Sequence, residues 1–246
     1  MKTMIAIVAA LSAAGCAAEF PRTEMEHELQ EGRQILVDDA DVLRAGQVRP
    51  QLPLPFRLAV VPPSMMNSHR WGVPEELEGE RKEIAAWGDR LRAEGVITDL
   101  VIIPQMLVRV GNNHPEFYRQ LRVAAARLGA DALLILNSVS DVDSYVNPLA
   151  VLDITIVGMF VVPGHHKDAL TLVEGIMVDN RNQFVYLALS AEGTGTSCGT
   201  LVALQERSAI QKSRVAALKN FGDQLVTEAR RVPLDGGGPR YGTPGK

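Results

Sequence analysis

Gly195, Ser197 and Gly199 stand at G-x-S-x-G spacing in "GTGTSCGT", residues 193–200. In acyl-transfer enzymes that spacing places a serine hydroxyl on a sharp strand-to-helix turn, where a histidine activates it and a nearby amide pair receives the oxyanion. A second cluster is His165-His166 with Asp168. Imidazole and carboxylate are metal ligands, but zinc needs three or four of them converging on one point. His69, Arg70 and Trp71 form a third group. A guanidinium beside an indole suits an interface anchor. Asp38, Asp39 and Asp41, and the pair Glu75-Glu76, are the remaining groupings.

Most of these clusters have plainer readings. In an α/β-hydrolase the acid and the histidine follow the serine. All five histidines, His27, His69, His114, His165 and His166, precede Ser197. The usual triad order is therefore impossible, and no catalytic residue is assigned. Adjacent residues of an extended chain point to opposite sides, and Pro163-Gly164 reads as a turn. The His165-His166 pair is expected at a solvated hairpin tip, with no metal and no cofactor. Glu75-Glu76 suits a helix start. The loop His69, Arg70, Trp71 is kept as the candidate contact region, because it follows a predicted strand where sites on α/β sheets often lie.

The first half of the chain carries the elements for such a sheet. "FRLAVV", residues 56–61, reads as a buried strand stopped by Pro62 and Pro63. Pro74 opens a helix with Leu77, Ile84, Trp87 and Leu91 on one face, ended at Gly95. "DLVIIP" is the second strand. Pro115 opens a second helix with Phe117, Leu121, Ala124 and Leu128 in register, closed at Gly129. "ADALLILNSVS" is the third strand. This β-α-β-α-β order implies right-handed crossovers and parallel pairing. Three strand-like runs follow, "LAVLDITIVGMFVVPG", "ALTLVEGIMVD" and "QFVYLALSAEG", joined by the short polar links "HHKD" and "NRN". Short links mean antiparallel hairpins. Leu218, Phe221, Leu225 and Ala229 then mark a closing helix. The fold class is α/β (α+β): the β-α-β-α-β opening and a hairpin region share one mixed sheet, closed by a C-terminal helix. "GTGTSCGT" becomes a Gly/Thr/Ser passage from the last strand to that helix, with Ser197 or Thr200 as its cap.

The amino terminus is informative about location. In "MKTMIAIVAALSAAGC", Lys2 is followed by an apolar run over residues 4–11 and then by small residues up to Cys16. This is the layout of a secretory signal, too short to span a bilayer. Ala13, Ala14 and Gly15 before Cys16 resemble a bacterial lipobox, in which cleavage precedes a cysteine that is then acylated. The alternative is an ordinary signal peptide cut after Ala18, with Cys16 lost. Each buried CH₂ of an acyl chain contributes about 0.8 kcal/mol, so several chains hold a protein on a membrane. By the same resemblance, Ala17 after the cysteine implies the outer membrane, facing the periplasm. With Cys16 acylated, Cys198 has no partner and is expected as a free thiol, more simply buried than reactive.

The expected organisation is a signal peptide over residues 1–15, a lipidated terminus and tether over 16–55, one α/β domain over 56–232, and a disordered Gly/Pro-rich tail over 233–246. The tether is polar in "EMEHELQEGR" and extended in "VRPQLPLP", and would lift the domain off a membrane. A net charge of −4 without a Lys/Arg block makes nucleic acid an unsuitable partner.

Four stretches, "PLPFRLAVVPP", "LGADALLILNSVSDV", "TIVGMFVVPGHHKDALTLVEGIMVD" and "AEGTGTS", resemble the rhombotarget lipoprotein family of bacteria. They cover most of residues 52–200, and "IVGMFVVPG" is the most specific. In that family many members end in a Gly-rich motif, an apolar span and a basic end, a proposed substrate of a rhomboid-type protease. Here "PRYGTPGK" follows Gly236, Gly237 and Gly238 in place of an apolar span. "LGADALLIL" with hairpins after it is also similar, more loosely, to the curli secretion channel lipoprotein and to the amino-terminal domain of the Tol-system propeller protein. The resemblance does not establish a molecular role; because no acid, base and nucleophile set survives among the groups above, the reading is a lipid-anchored, non-enzymatic binding or assembly component of the cell envelope, with the membrane and an envelope protein as partners. Two other readings stay open: an oligomeric secretion or pore-type lipoprotein, and a serine esterase using Ser197.

Overall fold

A computed structural model describes residues 20–30, 39–66, 74–108, 115–146, 165–199 and 206–230. Its elements are helices α1 (Arg22–Gln30) and α2 (Asp39–Gln47), strand β1 (Phe56–Val61), the short helix α3 (Pro63–Met66), α4 (Pro74–Ala93), β2 (Ile97–Ile102), α5 (Pro115–Arg127), β3 (Ala132–Val146), β4 (His165–Asp179), β5 (Val185–Gly199) and α6 (Glu206–Ala229). The five strands form one mixed sheet in the order β2-β1-β3-β4-β5. β1 pairs parallel with β2 and β3, and β3-β4-β5 is an antiparallel meander. The α/β fold class, the mixed sheet and the closing helix are therefore as the sequence predicts.

Period-two alternation along the strands separates two apolar clusters. Phe56, Leu58 and Val60 of β1 join Leu134, Val173 and Leu187 beneath α4 and α6, which contribute Ile84, Trp87, Leu218 and Phe221. Ala59 and Val61 face the other way, with Leu133 beneath α5, which contributes Phe117, Leu121 and Ala124. Helices thus cover both faces, as a parallel core requires. The helices α4 and α5 begin at the predicted prolines. Gly95 and Gly129, at φ 71° and 72°, follow their ends, a left-handed conformation that costs glycine little.

Three segments depart from expectation. "HHKD" is not a link: His165 to Asp168 pair with Val146 to Asp143 inside β4. "GTGTSCG" is not a passage out of the sheet either, because β5 runs through Gly199, which pairs with His165. Its glycines are set by α6 and not by a turn. A Cβ on Gly193 would lie 2.5 Å from the Ser213 carbonyl oxygen and closer still to the Ala217 nitrogen, and one on Gly195 would overlap the Ala209 oxygen and the Ser213 nitrogen. The strand carries no side chain there because the helix backbone occupies the space. Ser197 lies inside β5, so it does not cap α6, which starts at Glu206. Thr200 lies outside the described residues.

The third departure is the amino-terminal segment. In place of an extended tether it carries α1 and α2, and α1 lies against β3 and β4. Met25 of α1 is buried. Arg22 Nε meets Glu192 Oε2 on β5 at 3.2 Å. Further on, the Gln51 and Leu52 amides both donate to the Tyr186 hydroxyl, at 2.9 and 2.8 Å. Met25 and Leu29 are the only apolar residues of the run Arg22–Gln30, too short a stripe for periodicity to mark it as a docked helix.

Candidate functional site

The two sequence-predicted site positions of greatest interest, Cys16 and the loop His69, Arg70, Trp71, lie outside the described residues, as does the run "LAVLDITIVGMFVVPG". The structure locates the root of the contact loop: it leaves α3 directly after β1. β1 has β2 on one side and β3 on the other, so its carboxyl end is the switch point of the parallel sheet, where open α/β sheets form a crevice.

A charged pair sits near this end of β1. Glu80 of α4 is almost wholly buried and faces the Arg214 guanidinium of α6 at 3.5 Å. Its other carboxylate oxygen accepts the Ser64 amide of α3 at 3.4 Å. The pair therefore joins both helices of one layer to the segment carrying the loop. Sequence reasoning singled out Glu75-Glu76 and missed Glu80. A signal existed: Glu80, Ile84, Trp87 and Leu91 share one helical stripe, and Arg214, Leu218, Phe221 and Leu225 repeat its spacing. Each stripe begins with a charge of opposite sign. The ladder continues outward as Arg90 with Asp223 and Arg230 with Glu94.

The opposite end of the layer holds an apolar groove of about 610 Å³ including its open mouth. Leu52, Leu54, Phe56, Val96, Met177 and Leu225 contribute to its walls. Tyr186 closes it. Its hydroxyl donates to Asp179 Oδ2 at 3.2 Å while accepting the two amides of residues 51 and 52. Burial is the main cause that pushes this phenol above its ordinary value of 10.0, against the lowering effect of the two amides. Such a groove holds an apolar group by exclusion of water.

The chemistry-bearing clusters are dispersed by the fold. Ser197 is opposite Lys167 in the β4-β5 register, inside a strand and not at a strand-to-helix turn. His165 and His166 occupy consecutive strand positions, opposite Gly199 and Cys198. Among the described residues no group of three or more His, Cys, Asp or Glu is placed to hold a metal ion. A hydroxyl chain does cross the α6 interface: Ser140 to Thr171 at 2.8 Å, Thr171 to Ser213 at 2.6 Å, and Ser213 to the Ile210 carbonyl at 2.9 Å. Ending on a backbone carbonyl, it is a satisfied structural network.

No protein-family model and no curated protein matches the sequence. Several solved structures are similar at low identity. A PelC dodecamer from Paraburkholderia phytofirmans is 15% identical at a TM-score of 0.29, covering 70% of this chain and 90% of that one. A putative neuraminyllactose-binding hemagglutinin homolog from Helicobacter pylori is 9% identical at a TM-score of 0.39, covering 74% and 87%. Lipoprotein GNA1162 from Neisseria meningitidis is 16% identical at a TM-score of 0.31, covering 58% and 85%. The neighbours thus include bacterial lipoproteins and an oligomeric assembly. At these TM-scores none of them bears on what this chain does.

Proposed function

We propose that the protein is a cell-envelope lipoprotein, acylated at Cys16 and held on the periplasmic side of the outer membrane, whose α/β domain is a non-enzymatic binding or assembly component. The observation that carries this reading is the order of residues 1–16: a cation, a short apolar run, small residues, then cysteine. The four stretches from "PLPFRLAVVPP" to "AEGTGTS" extend it to the rhombotarget lipoproteins. Support for a binding role comes from the open apolar groove. The placement of Ser197 within β5 supports a role without acyl transfer, since a nucleophile turn needs the serine between a strand and a helix.

Mass spectrometry of the mature amino terminus tests the anchor. The expected mass is that of a chain starting at an acylated Cys16, and Cys16→Ser should move the protein out of the membrane fraction. A mature chain starting unmodified at Glu19 sinks the proposal. The esterase alternative predicts ester hydrolysis that disappears in Ser197→Ala. The pore alternative requires strands that show lipid an apolar band. In β5 one face is covered by α6, and the other exposes Ser190, Glu192, Thr194 and Thr196. β5 does not supply that band.

A further inference from the structure

We infer that the side of the molecule carrying β5 lies directly against the phospholipid surface that holds the anchor, so that the domain is pressed to the membrane and not lifted from it. This rests on acylation of Cys16. Phe20 is four residues on from Cys16, and a fully extended chain covers at most about 3.6 Å per residue, so the two Cα atoms are within about 14 Å of each other. Phe20 is already part of the docked segment: its carbonyl accepts the Arg22 amide. Arg22 in turn is paired with Glu192 on β5. The point where the chain leaves the folded domain is therefore beside the middle of the edge strand. An acylated cysteine sits at the headgroup level, which brings the bilayer to that same edge.

The chemistry of the edge agrees with a phospholipid partner. The uncovered face of β5 shows the small polar side chains of Ser190, Thr194 and Thr196. Its one acidic residue, Glu192, is neutralised by Arg22. On the covered side, Lys212 and Lys219 are exposed on α6, seven residues apart and so in line along the helix. Lys212 reaches the strand itself, donating to the Thr196 carbonyl at 2.8 Å. Anionic headgroups attract cations that come within one screening length, about 8 Å at physiological salt. A long tether would have placed them beyond it.

The test uses the full acylated protein in vesicles of phosphatidylcholine and phosphatidylglycerol. A photo-crosslinking amino acid is placed either at Thr194 on β5 or at Lys82 on α4, which is exposed at the β2 end of the sheet. Lipid adducts are counted by mass spectrometry after irradiation. The expected result is several-fold more lipid adduct at position 194 than at 82, falling to the level of 82 in Met25→Asp, which puts a carboxylate where α1 is buried against the sheet and so undocks it while leaving the acyl chains in place. Equal adducts at 194 and 82 on vesicle-bound, acylated protein overturn the inference. Absence of acyl mass, or protein that does not float with the vesicles, instead overturns the lipoprotein reading on which it depends.

Discussion

Tyr186 ties three parts of the molecule together through one oxygen, and a single substitution isolates its contribution. Tyr186→Phe keeps the ring against Phe184, 5.0 Å between centroids, and removes the bonds to residues 51, 52 and 179. A destabilisation of about 1–3 kcal/mol is expected in urea unfolding, with faster hydrogen exchange at the Gln51 and Leu52 amides. The same phenol makes stability depend on alkaline pH. Its folded-state value lies above the unfolded 10.0, so the folded form keeps a proton that the unfolded chain releases. Stability is intact below pH 10 and declines as pH rises from there towards the folded value. Denaturation midpoints between pH 9 and 11 should show this decline, and Tyr186→Phe should flatten it. At Gly193 the outcome is steric. Gly193→Ala forces β5 away from the α6 backbone and should cost about 3 kcal/mol or more, read from the same unfolding curves.

At the level of elements, the two helices over one face are registered by charge as well as by packing. Trp87 and Phe221 meet with centroids 6.4 Å apart, and an added Cβ on Gly222 would collide with the Trp87 ring. Above them, Arg214→Met removes the cation facing buried Glu80 and should destabilise by about 3 kcal/mol, while the double variant Glu80→Gln, Arg214→Met recovers part of that loss. A double-mutant cycle in urea measures both. The edge strand has its own protection. Asn220 donates to the Glu192 carbonyl and Lys212 to the Thr196 carbonyl, each at 2.8 Å. Those carbonyls would otherwise be open to a strand from another chain. The variant Lys212→Ala, Asn220→Ala should associate at lower concentration than the parent in light scattering, with a stability loss of about 1 kcal/mol.

For the molecule as a whole, the sequence was most readable where one physical cause dominated. Leu58–Val61 is apolar at both parities because both of its faces are covered, and α4 and α5 announce themselves by a proline start, a 3.6-residue stripe and a terminal glycine. The pattern in residues 1–16, on which the proposed anchor rests, is equally local, since its order along the chain is its content. Reading failed where the cause was another element. Gly193, Gly195 and Ser197 look like a loop by composition, yet they are strand because α6 lies on them and the register with β4 runs on to His165. His165 to Asp168 look like a hairpin tip because they are polar, yet β3 continues to Val146 and pairs with them. Residues 22–30 look like a tether because the run is mostly polar, and the burial of Met25 exists only once β3 and β4 are side by side. Local order along the chain therefore determined the signal-like pattern of the amino terminus, the parallel half of the sheet and the closing helix. Contacts between residues far apart in sequence decided the rest: how far β4 and β5 extend, the pairing of Glu80 with Arg214, and the docking of the amino-terminal segment. The reason is that a close helix approach, a buried ion pair or a docked helix is specified by two surfaces at once, and a linear pattern records only one of them.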